Sequence, residues 1–325
     1  GTIYMTNFTP FRPYHVDPSY YCAARNEFTI DEWVDILLAG IDYNPKGFRD
    51  ISQKLTLLSR ILPFIEPRLN LIELAPKATG KSYVYSQLSK YGWLVSGGSV
   101  SRARLFYDIG RKEVGLISRY DYVALDEIQT IVFPKAEEVQ GALKGYLENG
   151  EYRVGDYRGV GQAGFILLGN IRQTRMDEDS NMFGELPSSF QESALIDRFH
   201  GFIPGWQIPR IRENMKVYGW ALNVEYLTEM FHAMRDDLRY RQTTEHLLSV
   251  PGQADRRDTE AVKRICTAYL KLLFPNAVSP SEISRHDFQR FCFEPALRMR
   301  GTIRRQLHLM DAEYSEHMPH ITVAD

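Results

Sequence analysis

One loop in this chain of 325 residues constrains its fold more than any other feature. An apolar run, residues 69–74, predicts a buried strand, and a segment that predicts a helix begins near Tyr83. Between them lies Ala75-Pro-Lys-Ala-Thr-Gly-Lys-Ser82. A strand, a loop ending in Gly-Lys-Ser and a helix are typical of a P-loop, whose backbone N–H groups surround nucleotide phosphates. The residues predicted to bind the nucleotide are Pro76, Lys77, Ala78, Thr79, Gly80, Lys81, Ser82 and Tyr83.

A specific role or backbone geometry is expected at three positions of this loop. Lys81 is expected to reach the β- and γ-phosphates, and the Ser82 hydroxyl is expected to bind Mg²⁺. Ala75 occupies the position where the motif usually has its first glycine, and alanine adopts a positive φ only at a cost. The loop must therefore start with a backbone geometry that alanine permits. The alternative is a chance Thr-Gly-Lys-Ser sequence in a surface loop.

Two carboxylates end a second apolar run, Tyr120-Asp-Tyr-Val-Ala-Leu-Asp126-Glu127. The run predicts a buried strand that delivers both side chains to the edge where open parallel sheets bind their ligands. Asp126 is expected to hold Mg²⁺ directly or through water. Glu127 is expected to polarise the attacking water as a general base. An isolated Asp-Glu pair would alternatively indicate a solvated turn.

A third short apolar run, residues 163–168, leads to Gly169 and Asn170. The amide of Asn170 is expected to hold the attacking water near the γ-phosphate. Taken alone, Gly169 and Asn170 would more readily indicate a simple turn. Three apolar runs that end in these polar groups, in this order, favour a nucleotide-hydrolysing site.

Alternating strands and helices predict an α/β fold with a parallel sheet flanked by helices. A helix is predicted over residues 29–38, a second over 48–62 that ends before Pro63, and a strand over Gly92–Ser96. Residues 99–107 and 135–147 are predicted helices, and residues 1–28 an extended arm. After a boundary at residues 206–209 no further strand is predicted. Helices are expected over 209–240, 258–274 and 280–309.

Composition excludes several classes of protein. The net charge of −2 provides no overall basic field for nucleic acid, so any such binding must come from local patches. Cys22, Cys266 and Cys292 are too far apart for a paired zinc motif and indicate buried or free thiols of a reducing compartment. No apolar run approaches the roughly 20 residues that a membrane-spanning helix needs. We therefore expect a cytoplasmic protein that does not contact membranes.

The order of these motifs resembles the AAA+ ATPases, which implies an AAA+ P-loop NTPase core followed by an all-helical lid. Ser193-Ala-Leu-Ile-Asp-Arg198-Phe-His200 resembles the arginine-finger segment of the hexameric members, particularly those related to the replicative MCM helicases. In a ring, Arg198 would stabilise transition-state charge on the γ-phosphate of a neighbouring subunit. The alternative is a surface ion pair between Arg198 and Asp197.

Longer strings resemble the BrxL family, the Lon-like AAA+ proteins of bacterial BREX phage-defence systems. They include Phe28-Thr-Ile-Asp-Glu-Trp-Val-Asp-Ile-Leu37, Leu94-Val-Ser-Gly-Gly98 and Leu195-Ile-Asp-Arg-Phe-His-Gly-Phe-Ile-Pro-Gly-Trp206. The resemblance implies ATP and Mg²⁺, duplex DNA as a partner, contacts with other BREX proteins, and a role in blocking phage. It also implies a homo-oligomeric ring, a hexamer or a stacked double hexamer, in a bacterial or archaeal cytoplasm.

The resemblance covers about residues 8–310. It implies the AAA+ core alone, without the flanking domains of the family, and so no protease activity is expected from this chain. The predicted division is an N-terminal arm and first helix over 1–40, a nucleotide-binding α/β domain over 41–207, and a helical lid over 208–325.

The resemblance to the family also suggests functional roles for two further pairs of arginines. Glycine-separated strand pieces over residues 151–165 predict a β-hairpin, from which Arg153 and Arg158 are expected to contact DNA phosphates in the pore. In the lid, Arg300 is the preferred sensor-2 residue that touches the γ-phosphate, and Arg304 is the alternative. For either arginine, a solvated basic helix face remains a second interpretation.

A competing hypothesis is a protein-remodelling ATPase, an unfoldase module of a Lon-like ATP-dependent protease. Pores of that class usually present an exposed aromatic loop. Tyr107 and Phe133 are the aromatic candidates, although neither lies in a Gly-flanked pore motif. A nucleotide-binding scaffold with little turnover is the third possibility, and Glu127 argues against it.

Overall fold

A parallel sheet organises the structure, a computed structural model that describes residues 15–324. Five strands hydrogen-bond in the order β2-β5-β8-β1-β9, and the remaining strands form three two-stranded pairs. In chain order the strands are β1 Leu71–Ala75, β2 Gly92–Ser96, β3 Tyr107–Asp108, β4 Glu113–Val114, β5 Tyr122–Asp126, β6 Glu151–Val154, β7 Tyr157–Val160, β8 Gly164–Asn170, β9 Gly201–Pro204, β10 Leu248–Ser249 and β11 Thr322–Val323.

Helices cover both faces of the sheet. They are α1 Pro18–Arg25, α2 Ile30–Gly40, α3 Ile51–Leu58, α4 Leu62–Ile65, α5 Lys81–Gln87, α6 Arg102–Leu105, α7 Ala136–Asn149, α8 Ser193–Ile196, α9 Val224–Met234, α10 Arg239–Leu247, α11 Arg256–Leu273, α12 Arg285–Asp287 and α13 Glu294–Met310, with a π-helical turn, Phe288–Phe293, joining the last two.

Successive strand residues pack into different cores, as the two-residue period of a strand requires. Leu71 and Ile166 belong to a core formed with the N-terminal helices and the helices after residue 223. Ile72 and Phe165 face the other core, which includes α7 and the end of α13. Burial on both faces explains why these strands are continuous apolar runs. The fold is therefore α/β with a buried parallel sheet, as predicted.

Local sequence signals located some elements closely. The predicted strand Gly92–Ser96 is confirmed without change. Helix α2 begins after Thr29, whose hydroxyl accepts from the Glu32 N–H while the Glu32 carboxylate accepts from the Thr29 N–H. This capping box satisfies backbone groups that the first helical turn leaves free.

Other local predictions were wrong. Residues 48–62 do not form one helix: α3 ends at Leu58, and a 3₁₀ turn leads into α4. Pro63 lies in the first turn of α4, where its missing N–H removes no helical bond. The predicted arm contains helix α1, and the predicted helix over 99–107 is limited to α6.

The C-terminal half also differs from the prediction. No α-helix forms over residues 209–223, and the helical part begins at α9. Two short strands do occur after residue 209, since β10 and β11 pair and attach the chain end near residue 323 to the end of α10. The predicted arm before residue 15 lies outside the described residues.

The N-terminal helices pack against the helical C-terminal half. Trp33 Nε1 donates to Leu272 O at 3.1 Å, and Arg25 Nε donates to Leu273 O at 2.8 Å. The division of the chain at residues 40 and 207 stays a prediction. Over residues 15–324, no helix combines the length and apolar character that crossing a membrane requires.

Candidate nucleotide-binding site

The predicted P-loop connects strand β1 to helix α5. Gly80 immediately precedes α5 with φ +79°, a left-handed conformation that favours glycine. A Cβ at this position would also lie 2.2 Å from the Tyr43 hydroxyl oxygen. Conformation and packing therefore both require glycine here.

Ala75, the departure from the usual motif, fits for two reasons. It is the last residue of β1, paired with Asn170 of β8, and it is not among the residues with positive φ. Its methyl group faces Gly205, where an added Cβ would lie only 2.2 Å from the Ala75 Cβ. The structure therefore accepts alanine because the neighbouring residue after β9 has no side chain. The left-handed alanine of this loop is Ala78, with φ +66°.

This geometry predicts different effects for two glycine substitutions. Ala78→Gly removes a left-handed strain of about 1 kcal/mol from the folded chain. This gain offsets the extra freedom that glycine gives the unfolded chain, so the free energy of unfolding should change little. Ala75→Gly only adds that freedom within a strand, so it should lower the free energy of unfolding by about 0.5–1 kcal/mol. Urea unfolding of both variants measures the difference. A stabilising Ala75→Gly would contradict the argument.

The loop leaves a row of backbone donors free. Within the described part of the chain, no protein acceptor takes a hydrogen bond from the N–H groups of residues 77–82. Successive unpaired N–H groups at a helix N-terminus form a concave site for anions. The loop therefore has the donor arrangement that phosphates require.

Lys81 lies at the centre of this site. Its ammonium donates to Asn170 Oδ1 at 3.3 Å and to the carbonyls of Pro76 at 3.3 Å and Ala75 at 3.4 Å. Burial lowers the pKa of Lys81, and the nearby Glu73 carboxylate opposes this shift. These long contacts leave the ammonium available to exchange carbonyl oxygens for phosphate oxygens.

Ser82 and Asp126 meet across the sheet edge. The Ser82 hydroxyl donates to Asp126 Oδ2 at 2.5 Å, and Asp126 Oδ1 accepts from the Glu127 N–H at 2.8 Å. Oxygen ligands of this kind suit Mg²⁺, which usually binds one or two protein oxygens together with substrate phosphates. The residues present therefore fit the predicted metal. A bound Mg²⁺ would neutralise charge on the phosphates.

Glu127 lies just beyond this pair. Its side chain is exposed, and its backbone is left-handed, with φ +50° and ψ +46°. A non-glycine residue in this region is strained, and such strain is found preferentially at functional sites. Exposure at the sheet edge leaves the carboxylate free to contact a water molecule above the phosphates.

Gln129 is a residue that the sequence analysis missed. Its side-chain amide donates to Asn170 O at 2.8 Å and accepts from the Asn170 N–H at 3.4 Å. Gln129, in the turn that follows β5, therefore holds both the N–H and the C=O of Asn170. No sequence pattern marks a glutamine for this contact, because the two residues are 41 positions apart.

The remaining loop positions contact other parts of the chain. The Tyr83 hydroxyl donates to Asp42, Lys77 is exposed, and the Ala78 carbonyl accepts from the Ile211 N–H at 2.9 Å. The segment that follows β9 therefore lies against the P-loop.

Arg198 lies at the opposite end of the sheet from the P-loop. The chain turns into β9 after Phe199, and the His200 N–H donates to Asn70 O, level with the start of β1. The five residues of β1 separate these ends by about 17 Å. Arg198 Nε pairs with Glu148 Oε2 at 2.9 Å, and its side chain is 17% exposed. The predicted alternative pair with Asp197 is not formed.

Arg300 is also at that end, and the structure does not bring it to the P-loop. It is fully buried and makes four hydrogen bonds, to both Asp197 and Asp258 carboxylates and to the carbonyls of Asp197 and Phe199. Arg304 Nη1 contacts the other oxygen of Asp258 at 3.1 Å. Neither arginine forms the solvated basic face considered from the sequence. Within one chain, Arg300 connects the helical half to the segment before β9, and Arg304 connects α13 to α11.

The predicted hairpin is formed by β6 and β7. Arg153 and Arg158 are directly opposite one another, and both are exposed. The other face of the hairpin is packed, since the Tyr157 ring stacks on Tyr107 with centroids 3.7 Å apart. A cleft of about 520 Å³ separates the two arginines from the glycine-containing face of α7.

The strand order, the P-loop after β1 and the carboxylates after β5 together define a P-loop ATPase core of the AAA+ class. A family model described as "Lon-like protease BrxL-like, ATPase domain" matches residues 3–320. The chain belongs to this family of BrxL-like ATPase domains, and membership implies the use of a nucleotide.

Two relatives support this membership. The chain is similar to the Lon-like protease BrxL of Escherichia coli O9:H4 (strain HS), at 32% identity over 305 residues, which cover 93% of this chain and 43% of the relative. It is also similar to the Lon-like protease BrxL of Bacillus cereus (strain H3081.97), at 31% identity over 275 residues, which cover 84% and 40%. The chain thus spans less than half the length of these relatives.

Proposed function

We propose that this chain hydrolyses ATP with Mg²⁺ as one subunit of a ring on duplex DNA. The convergence of Lys81, Ser82, Asp126 and Asn170 at one sheet edge is the observation that carries the proposal. Free loop N–H groups bind the phosphates, and Glu127 activates the water. Binding of a fluorescent ATP analogue with Mg²⁺, and release of phosphate from ATP, test this step.

The position of Arg198 supports a ring. Because the length of β1, about 17 Å, separates it from its own P-loop, Arg198 can act on a nucleotide only if another subunit provides one. In the isolated chain it pairs with Glu148, which is shared with Arg257 of α11. Assembly then exchanges Glu148 for the neighbour's γ-phosphate. Particle images with an ATP analogue, with and without duplex DNA, test ring formation and pore occupancy together.

The hairpin supports DNA as the partner. Like charges directly opposite one another destabilise a strand pair, and Arg153 and Arg158 face each other without an acidic partner within residues 15–324. A phosphate backbone would supply the missing negative charge. We propose that these hairpins line the pore and that hydrolysis moves them along the duplex.

Reversing both charges should weaken DNA binding. In Arg153→Glu/Arg158→Glu, the salt dependence of log K should decrease by about 0.9 for each lost phosphate contact. Titration of duplex DNA at several salt concentrations measures this slope. Arg285→Glu/Arg290→Glu is the matched control, since both residues are exposed and lie in the helical half. An unchanged slope in the hairpin variant would remove the pore assignment.

The unfoldase alternative finds less support. Tyr107 is stacked on Tyr157, and Phe133 packs against Phe190 with ring centroids 5.4 Å apart. Neither aromatic side chain projects as a free pore loop. Stimulation of hydrolysis by duplex DNA supports the first proposal, whereas stimulation by unfolded protein supports the alternative.

The cellular role follows from the resemblance to BREX proteins. We propose action in the bacterial or archaeal cytoplasm against phage, together with other BREX proteins and without a membrane contact. Loss of phage resistance on Lys81→Ala in an otherwise complete system tests this role. The absence of protease activity from this chain stays a prediction.

A further inference from the structure

A buried ion pair lies directly behind the P-loop. Arg60, in the 3₁₀ turn after α3, and Glu73, in the middle of β1, are both fully buried. The guanidinium donates to both carboxylate oxygens, at 2.6 Å and 3.1 Å. Burial favours loss of the Arg60 proton, but the Glu73 carboxylate more than offsets this and raises the pKa of Arg60. Arg60 therefore remains charged.

Arg60 also holds the loop itself. Its Nη1 donates to the carbonyl of Thr79 at 2.7 Å, and Nη2 lies 3.4 Å from the Thr79 hydroxyl. No other donor within residues 15–324 contacts the Thr79 carbonyl. The planar guanidinium thus connects the rigid centre of β1 to the most constrained part of the P-loop.

The held carbonyl determines where the next N–H points. The C=O and N–H of a trans peptide unit point in opposite directions, and the chain contains no cis peptide bond in its described part. Fixing the Thr79 carbonyl towards Arg60 directs the Gly80 N–H to the opposite side. The Ile211 N–H holds the Ala78 carbonyl in the same way and so orients the Thr79 N–H.

Thr79 adds a third contact of this kind. Its hydroxyl donates to the Pro76 carbonyl at 3.2 Å, which orients the N–H of Lys77. Three peptide units of the loop are therefore held through their carbonyls, and their N–H groups point away from those contacts. Arg60 provides the strongest of the three contacts, because its donor is charged.

We propose that Arg60 is a positioning residue for the nucleotide: paired with Glu73, it presets the P-loop backbone so that its N–H groups converge on the phosphates. The inference rests on the proposed function, since it requires a nucleotide phosphate in this loop. Glu73 is needed because an unpaired guanidinium could not remain buried. Lysine is a poor substitute for Arg60, because a single ammonium lacks the planar fork that reaches both partners.

The test removes both charges together, so that neither is left buried alone. Arg60→Met/Glu73→Met keeps the volume of the pair and should fold. Its affinity for a fluorescent ATP analogue with Mg²⁺ should fall about tenfold or more, since a charge-assisted contact is lost. The rate of hydrolysis at saturating ATP should change much less, because orientation of the loop acts on binding.

The matched control is Lys271→Met/Glu66→Met. This pair is also buried, at 2.9 Å, but lies outside the P-loop. It should change the free energy of unfolding and leave the nucleotide affinity unchanged. Arg60→Lys is the second variant: it keeps a charge for Glu73, and we expect it to fold with reduced affinity.

The outcomes separate the two proposals. If the wild-type chain does not bind the analogue, the proposed function fails. If the wild type binds and both Arg60 variants bind within twofold of it, the positioning role is overturned and the proposed function stands. Equal losses of affinity in the control pair would show general damage to the fold and would likewise overturn the positioning role.

Discussion

Replacing Glu127 by glutamine is expected to lower the rate of ATP hydrolysis by about 10²–10⁴-fold, the usual contribution of a general base. The change removes one negative charge and keeps the shape of the side chain. The Glu127 side chain is exposed and makes no hydrogen bond or ion pair within residues 15–324, so the fold does not depend on its charge. Binding of the ATP analogue should therefore stay within about twofold of wild type, a shift well below 1.4 kcal/mol.

Phosphate release and analogue binding, measured on the same samples, check this expectation. Glu137→Gln is the matched control, since Glu137 is an exposed glutamate in the first turn of α7. Its rate should equal that of the wild type. Equal rates for Glu127→Gln and wild type would instead remove the catalytic role and favour the scaffold hypothesis.

Replacing Arg300 by methionine is expected to destabilise the chain by about 3–5 kcal/mol, as when one partner of a buried ion pair is removed. The substitution removes four hydrogen bonds, two of them to backbone carbonyls next to β9. Asp258 would keep only Arg304 as a partner. The helical half would lose the buried hydrogen bonds that Arg300 makes to the segment before β9.

The pH dependence of this loss has a defined sign. Burial raises the pKa of Asp258, and the Arg300 guanidinium opposes that shift. Without Arg300 the folded-state pKa of Asp258 rises further, so the stability deficit relative to wild type grows as pH rises from the folded-state pKa of the wild type to that of the variant. The deficit relative to wild type should therefore shrink on acidification, when the carboxyl becomes protonated and needs no counter-charge.

Urea unfolding at several pH values measures both effects. Arg298→Met is the control, because Arg298 is on the same helix with a side chain that is 60% exposed. It should change stability by less than about 0.5 kcal/mol. If Arg300→Met were as stable as wild type but lost affinity for the ATP analogue, Arg300 would be a nucleotide ligand, as the sequence suggested.

The sequence located the P-loop because its signal is local. A strand, a loop with Gly-Lys-Ser and a helix are contiguous, and the structure has them over Leu71–Ala75, residues 76–80 and Lys81–Gln87. Asp126 was similarly found from the apolar strand before it. The contact between Asp126 and Ser82 follows from the rule that parallel strands end at one edge of the sheet.

The departure at Ala75 was interpreted correctly only in part. The sequence required a permitted backbone geometry, and strand β1 provides it. The strain instead falls on Ala78, and the room for the Ala75 methyl group comes from Gly205, 130 residues away. No local pattern relates these two positions.

Sequence by itself determined the class of this protein and the residues at its sheet edge, because hydrophobic period and loop chemistry are local properties of the chain. Tertiary structure alone decided what holds those residues. Contacts between distant elements place Arg60 behind Thr79, Gln129 beside Asn170, and Arg300 between two aspartates. Buried charges and amides acquire their roles from the partners that folding brings to them, and a linear pattern does not record those partners.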